Sequence, residues 1–223
     1  MLIAAGREGA ERFFVLGDVV GYGIDPVACI NRLKEIEAVC VLGNHDQAVL
    51  EPAQLRGLNP LARHALLHTR EMLGEDERAY LRSFPFRHIE HGAALTHANP
   101  IEPEAWQHVL LYRHLRWCLK EMEWDVAFVG HTHQRAVSCQ FNRRQVANLT
   151  SSRVVLGRHR YLINPGSVGQ PRDGDWRASY ALWDLESSFI ELVRVEYPVR
   201  RTQEKLAKAQ WPTYLVKRLA TGE

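Results

Sequence analysis

Side chains that can bind a metal ion follow four short apolar segments of this sequence. In chain order they are Asp18, Asn44, His45, Asp46, His97, His131 and His133. They offer oxygen and imidazole ligands and no thiolate, a mixture that suits Mn, Fe, Zn or Ni at a hydrolytic centre better than a structural zinc site. One histidine after a strand is usually a surface or hydrogen-bonded residue. Four such segments in one chain predict a metal centre.

β-Strands are predicted for the apolar segments that precede these residues, at residues 13–16, 38–42, 93–96 and 126–129. Helical patterns lie at residues 26–37, 60–73, 76–83 and 103–122. Alternating strands and helices predict βαβ units, in which ligands bind beyond the carboxyl ends of the strands. The polar residues lie at those ends, so the predicted fold brings them together.

The pattern changes after residue 134. Short strands joined by turns are predicted at residues 136–140, 154–156, 161–163, 178–184 and 189–197, and helices at residues 200–209 and 214–219. This second part is typical of a mostly antiparallel meander. Two sheets packed face to face, with helices outside, would bury both sets of apolar residues. We expect an α/β fold, a two-sheet β-sandwich flanked by helices, formed as a single domain over residues 1–223.

The composition is that of an ordinary globular protein. Apolar residues make up 46% and charged residues 24% of the 223 residues, and no apolar run reaches the roughly 18 residues of a membrane span. The formal net charge of +2 gives no argument for a nucleic-acid or membrane partner. Four cysteines, at positions 29, 40, 118 and 139, form no Cys-x-x-Cys pair. They predict buried thiols in a reducing, cytoplasmic compartment.

Three glycine-containing segments carry a resemblance to a known family. Gly-Asp-Val-Val-Gly-Tyr-Gly at residues 17–23, Gly-Asn-His-Asp at 43–46 and Gly-His-Thr-His at 130–133 resemble signature motifs of the calcineurin-like metallophosphoesterases. Thr96-His97 matches the isolated histidine of that family in position and order, and residues 164–169 resemble a downstream loop of small bacterial and archaeal members. The resemblance covers most of the chain and implies the α-β-β-α fold of that family.

The resemblance also implies the chemistry, which is hydrolysis of a phosphate ester by a hydroxide held between two divalent ions, Mn, Fe, Zn or Ni. Asp18 would bridge both ions, and Asn44, His97 and His131 would complete the site of the second ion. The first ion would be bound by Asp18 and His133. The substrate would be a phosphorylated small molecule, a nucleotide or a phosphoprotein, and the sequence does not distinguish a phosphomonoester from a phosphodiester.

The same resemblance gives roles to residues that are not metal ligands. His45 would protonate the leaving oxygen or stabilise the transition state, with Asp46 orienting its ring. Asn44 and His45 would contact the substrate, and Arg172 is a further candidate contact.

Two interpretations stay open for the downstream loop and for one aromatic residue. Asn164, Gly166 and Ser167 would support the site from their loop, but a plain turn explains them equally well. Tyr22 could stack on a substrate or could be a packing residue.

Other histidines have no such context. His64 and His68 lie four residues apart on a predicted helix, the spacing of a zinc-binding pair, but Ala65 stands where a metalloprotease motif has glutamate. A pair on the helix surface is the better interpretation. No motif surrounds the remaining histidines, which are His88, His91, His108, His114 and His159.

One expected motif is missing. Family members begin with a strand ending in Asp-x-His, which supplies two ligands of the first ion, and this sequence contains no Asp-x-His. Residues 1–5 followed by Gly6 are typical of the last turns of a helix with a glycine after it. We therefore expect the natural chain to begin earlier, by roughly 20 residues that form a strand, a loop and most of a helix. An in-frame stop codon directly upstream of Met1 would contradict this.

Two function classes remain open at this point. The first is a metal-dependent phosphoesterase. The second is a relative with impaired or no catalysis that binds a phosphorylated ligand or a protein partner, because the first ion would keep only Asp18 and His133. A single ion bound by the other ligands could still support slow hydrolysis, so one or two ions are expected.

Overall fold

The computed structural model describes residues 1–142 and 145–223. Its α-helices are α1 (Leu2–Arg7), α2 (Pro26–Glu35), α3 (Asn44–Leu50), α4 (Pro60–Met72), α5 (Glu75–Arg82), α6 (Tyr112–Glu121), α7 (Val199–Lys208) and α8 (Thr213–Lys217). Short 3₁₀ helices lie at Pro52–Gly57, Pro103–Ala105 and Arg218–Ala220. The strands are β1 (Phe14–Val15), β2 (Val39–Cys40), β3 (Arg87–Glu90), β4 (Ala93–Thr96), β5 (Val126–Phe128), β6 (Ala136–Gln140), β7 (Val146–Leu149), β8 (Arg153–Val155), β9 (Arg160–Asn164), β10 (Ala178–Asp184) and β11 (Phe189–Val195).

The larger sheet contains six strands in the order β3-β4-β5-β9-β6-β7. β4, β5 and β9 are parallel neighbours, with Leu95 paired to Phe128, and the outer strands join them antiparallel. Every residue of β4 is buried, as expected of a strand covered on both faces. The carboxyl ends of the three parallel strands meet at one edge, where His97, His131 and Asn164 lie.

A second layer faces this sheet and consists of two smaller sheets. β1 and β2 form a parallel pair, and β10, β11 and β8 form an antiparallel sheet. Ile190 and Leu192 of this layer pack with Phe128, Tyr161 and Ile163 of the larger sheet. The expected mixed α/β fold is confirmed. In the described part of the chain its strands form three sheets rather than two, because β1 and β2 pair only with each other.

Helices cover both layers. α6 packs on the larger sheet through Leu115, Cys118 and Leu119, which recur at helical spacing. α2 to α5 surround Ile30 and Leu66 on the side of the β1–β2 pair. α2 and α4 begin with proline, which is tolerated at the first helical position because that backbone position needs no hydrogen-bond donor. These packed helices fix the loops that carry the polar residues.

The predicted helix at residues 103–122 is wrong in its first half. α6 begins only at Tyr112, because Trp106 adopts a left-handed conformation with φ 52° and Leu111 is extended. Gly6 lies inside α1 rather than after it, and the left-handed glycine that follows is Gly9, with φ 84°. β3 and β7 lie where no strand is predicted.

The cysteines agree with the prediction at three positions and differ at one. Cys40, Cys118 and Cys139 are buried, whereas Cys29 is exposed. Across residues 1–142 and 145–223, no helix combines the length and the apolar character that a membrane crossing requires.

Candidate metal centre

Four side-chain atoms from four strand ends converge on one point. His97 Nε2 lies 3.1 Å from Asn44 Oδ1, 3.0 Å from His131 Nδ1 and 3.3 Å from Asp18 Oδ2. The other nitrogen of His97, Nδ1, lies 2.6 Å from the carbonyl oxygen of Leu16. A carbonyl only accepts, so Nδ1 carries the proton and Nε2 of the neutral ring presents a lone pair. We call the four converging atoms the closed group.

The closed group fits a divalent cation. Asp18, His97 and His131 can together hold a metal ion, with one ligand atom each. Atoms separated by about 3 Å are the neighbouring ligands of an ion bound at about 2.1 Å. Lone pairs at this separation repel one another unless a cation or a proton lies between them.

The protonation behaviour agrees with that fit. Burial would raise the pKa of Asp18, but the charges of His97 and His45 outweigh burial and hold that pKa well below its usual range. Burial would lower the pKa of His97, but the charge and hydrogen bond of Asp18 raise it. The group thus attracts positive charge. Burial, with the charge of His97, lowers the pKa of His131 to about 3, which keeps that ring neutral and able to bind a metal at pH 7.

The backbone is strained at three of the candidate ligand residues. Asp18, His131 and His133 have φ values of 53°, 63° and 57°, in the left-handed region that non-glycine residues rarely adopt. Such strain accumulates at functional sites, where the surroundings impose it. Position 43 requires glycine for a different reason, because a Cβ atom there would lie 2.2 Å from the backbone nitrogen of Asp18.

His45 lies beside the closed group. Its backbone N–H donates to Asp18 Oδ1 at 2.9 Å, and its ring lies 4.8 Å from the ring of Tyr22. A Cβ atom on Gly21 would meet His45 Nδ1 at 2.4 Å, so glycine is required for this close approach. Burial lowers the pKa of His45 against the opposing charge of Asp18. Tyr22 therefore packs on His45, which gives structural support to the second of its two interpretations.

Asp46 joins two loops of the site. Its carboxylate accepts backbone N–H groups from Val20 at 3.2 Å and Gly43 at 3.0 Å. Burial and the nearby charge of Asp18 raise the pKa of Asp46 to about 7. The expected contact with the ring of His45 is not among its hydrogen bonds in the described residues, which run to backbone N–H groups.

His133, Gln170 and Arg172 form a second group, and the charge of Asp18 acts on the pKa values of His133 and Arg172. We call these three residues the open side. His133 Nδ1 donates to the carbonyl oxygen of Gln170 at 2.7 Å, which leaves Nε2 as the possible ligand atom. His133 does not belong to the group that can hold an ion with Asp18, His97 and His131. Burial and the charge of Arg172 lower the pKa of His133 to about 4.

The downstream loop is joined to the ligand loop by side-chain hydrogen bonds. Asn164 Nδ2 donates to the carbonyl of Gly130 at 2.8 Å and to Thr132 Oγ1 at 2.9 Å, on both sides of His131. Asn164 Oδ1 accepts from the backbone of Gly166. Ser167 Oγ accepts from the backbone of Gln170. These three predicted residues therefore support the loops that carry the ligands.

Two residues that contact His97 and His131 are not predicted from the sequence to belong to the site. The ring of Trp106 lies 5.8 Å from that of His97, and its Nε1 donates to Gln47 Oε1 at 3.0 Å. The ring of His108 lies 3.8 Å from that of His131. No motif surrounds either residue, so only the three-dimensional contacts reveal them.

The helical pair His64 and His68 is a packing pair. Both rings meet Trp211 edge-on, at 5.9 Å and 5.6 Å. Trp211 belongs to a cluster that attaches α7 and α8 to α4. The zinc spacing of the two histidines therefore has a structural explanation.

Comparison with known proteins identifies the family. The model of the calcineurin-like phosphoesterase superfamily domain matches residues 2–188, most of the chain. The chain belongs to this superfamily, as the motifs at the strand ends predict.

Three proteins are similar to this chain over different parts of their length. An uncharacterized protein of Methanocaldococcus jannaschii is 34% identical over 97% of this chain and 88% of its own length. The crystal structure of a metallophosphoesterase from Sphaerobacter thermophilus has a TM-score of 0.87 and 33% identity, and the match covers 100% of this chain and 93% of that one. A symmetrical bis(5'-nucleosyl)-tetraphosphatase of Aromatoleum aromaticum is 34% identical over 40% of this chain and 34% of its own length.

Proposed function

We propose that this protein hydrolyses phosphate esters with divalent metal ions bound at the strand ends. The observation that carries the proposal is the closed group, in which ligand atoms from three other loops lie 3.0–3.3 Å from His97 Nε2. Bringing several buried lone-pair atoms close together costs free energy, and the packing of a protein core does not require such an arrangement. Divalent ions bound there would neutralise phosphoryl charge and activate water.

The open side supplies a counter-charge for the substrate. The Arg172 guanidinium donates to Gln170 Oε1 at 2.9 Å and lies 5.6 Å from the centre of the Tyr22 ring. In the described part of the chain it forms no ion pair with a carboxylate, and its Nε is buried without a hydrogen-bond partner. A partly buried guanidinium with an unpaired N–H favours an anion, and the phosphoryl group of a substrate would satisfy it.

His45 is proposed to assist the leaving group. Tyr22 and the backbone of Gly21 fix its ring next to Asp18, and burial lowers its pKa. A ring fixed in this way can donate a hydrogen bond to the departing oxygen. Asn44 reaches the same region through Oδ1, one residue earlier at the start of α3.

The two metal positions are proposed to differ in strength. The closed group offers four protein ligands, whereas Asp18 and His133 are the two ligands proposed for the other position. An ion held by two protein ligands binds more weakly than an ion held by four. We therefore propose one firmly bound ion and a second that is bound weakly. The native metal is proposed to be Mn, Fe, Zn or Ni, as the oxygen and imidazole ligands favour.

The substrate is proposed to be a phosphorylated small molecule or nucleotide. The partial match to a bis(5'-nucleosyl)-tetraphosphatase supports a nucleotide, although it covers only 40% of this chain. A phosphoprotein remains the competing substrate. A panel of nucleoside polyphosphates, phosphomonoesters and phosphopeptides would distinguish them.

A metal-dependence assay tests the proposal. The chain is stripped with a chelator and then assayed on an aryl phosphodiester and an aryl phosphomonoester, with and without added Mn²⁺. We expect hydrolysis that requires added metal. Metal binding without hydrolysis of any substrate in the panel would instead support the non-catalytic, ligand-binding alternative. If the stripped chain binds no metal, the metal centre itself is refuted.

A further inference from the structure

Two of the proposed ligand histidines have rings that are held by a hydrogen bond to a backbone carbonyl. His97 donates from Nδ1 to the carbonyl of Leu16 at 2.6 Å, and His133 donates from Nδ1 to the carbonyl of Gln170 at 2.7 Å. A hydrogen bond from the nitrogen that does not bind the metal sets the orientation of a ligand imidazole. Such partners affect metal affinity although they do not touch the ion.

His131 has no such hydrogen bond in the described part of the chain. Its Nδ1 faces the closed group, and its Nε2 is buried without a hydrogen-bond partner among residues 1–142 and 145–223. Its backbone is also in the left-handed region, with φ 63°. The orientation of its ring therefore depends on packing.

Two rings pack on His131. The ring of His97 meets it edge-on with the centres 4.8 Å apart, and the ring of His108 lies closer, at 3.8 Å, in a stack tilted by 34°. The carbonyl of His108 accepts a hydrogen bond from His114 Nδ1 at 3.1 Å, which attaches this segment to the first turn of α6. Two residues earlier, Trp106 contacts His97 and bonds to Gln47 of α3. The same segment thus covers both imidazoles of the closed group and is attached at two points.

We propose that His108 is the positioning residue of His131, holding the ligand ring by stacking where a hydrogen bond holds the other two. The inference rests on the proposed metal-dependent function. It makes a distinct claim, because the required property of His108 is a flat ring and not a nitrogen atom. Any planar aromatic side chain of similar size at this position should therefore preserve metal binding.

The test is calorimetric titration of the stripped full chain with Mn²⁺, without substrate. We expect His108→Ala to weaken Mn²⁺ binding by about 10-fold, the lower end of the effect of outer-shell partners. His108→Phe, whose ring can stack but cannot bind a metal or donate, should recover most of the affinity. His159→Ala is the control, since His159 also packs on aromatic rings, those of Phe141 and Tyr161, away from the site.

Each outcome is decisive. Unchanged affinity in His108→Ala refutes positioning. An affinity in His108→Phe as low as in His108→Ala shows that a nitrogen acts, which also refutes it. Circular dichroism of the metal-free variants identifies any loss of folding, and His108→Phe then decides the question, because its ring preserves the packing. Absence of Mn²⁺ binding in the unmodified chain refutes the proposed function and this inference together, whereas binding without hydrolysis affects only the proposed function.

Discussion

The closed group and the open side are built differently. In the closed group, His97 Nε2 lies within 3.3 Å of three other ligand atoms, and strained or tightly packed backbone holds them. On the open side, His133 and Arg172 both bond to Gln170, and Arg172 Nε has no hydrogen-bond partner among the described residues. We propose that the closed group holds the firmly bound ion, whereas the open side carries the weaker position and receives the substrate. Substitutions on the two sides should therefore fail in different ways.

The largest expected effect separates the two sides directly. His97→Ala removes the atom around which the closed group is arranged, so metal binding and hydrolysis should fall by more than about 100-fold, beyond the effect of outer-shell partners. His133→Ala should reduce hydrolysis by about 10-fold and leave the tighter Mn²⁺ site intact. Calorimetry and the phosphodiester assay measure both quantities. Equal losses in the two variants would show that the centre is not divided as we propose.

Asp46→Asn tests the support of the closed group. The amide can accept only one of the two backbone N–H groups that Asp46 now accepts, from Val20 and Gly43. We expect the free energy of unfolding to fall by about 1–3 kcal/mol, the cost of a buried polar group left unpaired. Urea denaturation measures it, with Asp76→Asn at the exposed start of α5 as the control. An unchanged unfolding energy would mean that the two loops are held by other contacts.

Arg172→Gln should affect the open side alone. Loss of a partly exposed charged hydrogen bond to the substrate costs about 1 kcal/mol, so KM should rise about fivefold with little change in Mn²⁺ affinity. Steady-state kinetics at saturating metal measure the change. Arg177→Gln is the matched control, since Arg177 pairs with Asp175. A loss of Mn²⁺ affinity in Arg172→Gln would place Arg172 with the closed group instead.

The dependence of stability on pH tests the open side in the absence of metal. The pKa of His133 is lowered from 6.5 to about 4 in the folded chain, so the unfolded chain binds a proton more readily between these values. His133 therefore costs stability as the pH falls from about 6.5 to about 4, and has no such effect above that range. In the presence of a chelator, His133→Gln should gain stability relative to the unmodified chain as the pH is lowered. A constant difference across this range would contradict the lowered pKa.

The residues of the closed group could be located from sequence because their signal is local. Each apolar strand is followed at once by a glycine or a polar residue, so Asp18, Asn44 and His131 can be recognised without knowledge of their neighbours. The parallel order of β4, β5 and β9 then brings the strand ends to one edge.

The missed features depend on contacts between distant residues. The apolar pattern at residues 103–122 is typical of one helix. The segment that contains Trp106 and His108 is instead outside the α-helix, and their rings contact His97 and His131. The hydrogen bonds of Asp46 run to two loops, one of them 26 residues away, and no spacing rule anticipates that geometry. Sequence therefore located the residues of the closed group better than it located the residues that hold them.

The left-handed backbone of Asp18, His131 and His133 has a consequence for engineering. Glycine adopts that conformation without strain, so Gly at each of these positions would relieve backbone strain while deleting a side chain that the proposed chemistry needs. A search for heat-resistant variants that selects on folding alone would tend to collect such changes. Thermostability and metal loading should therefore be screened together, because at these three positions they favour opposite residues.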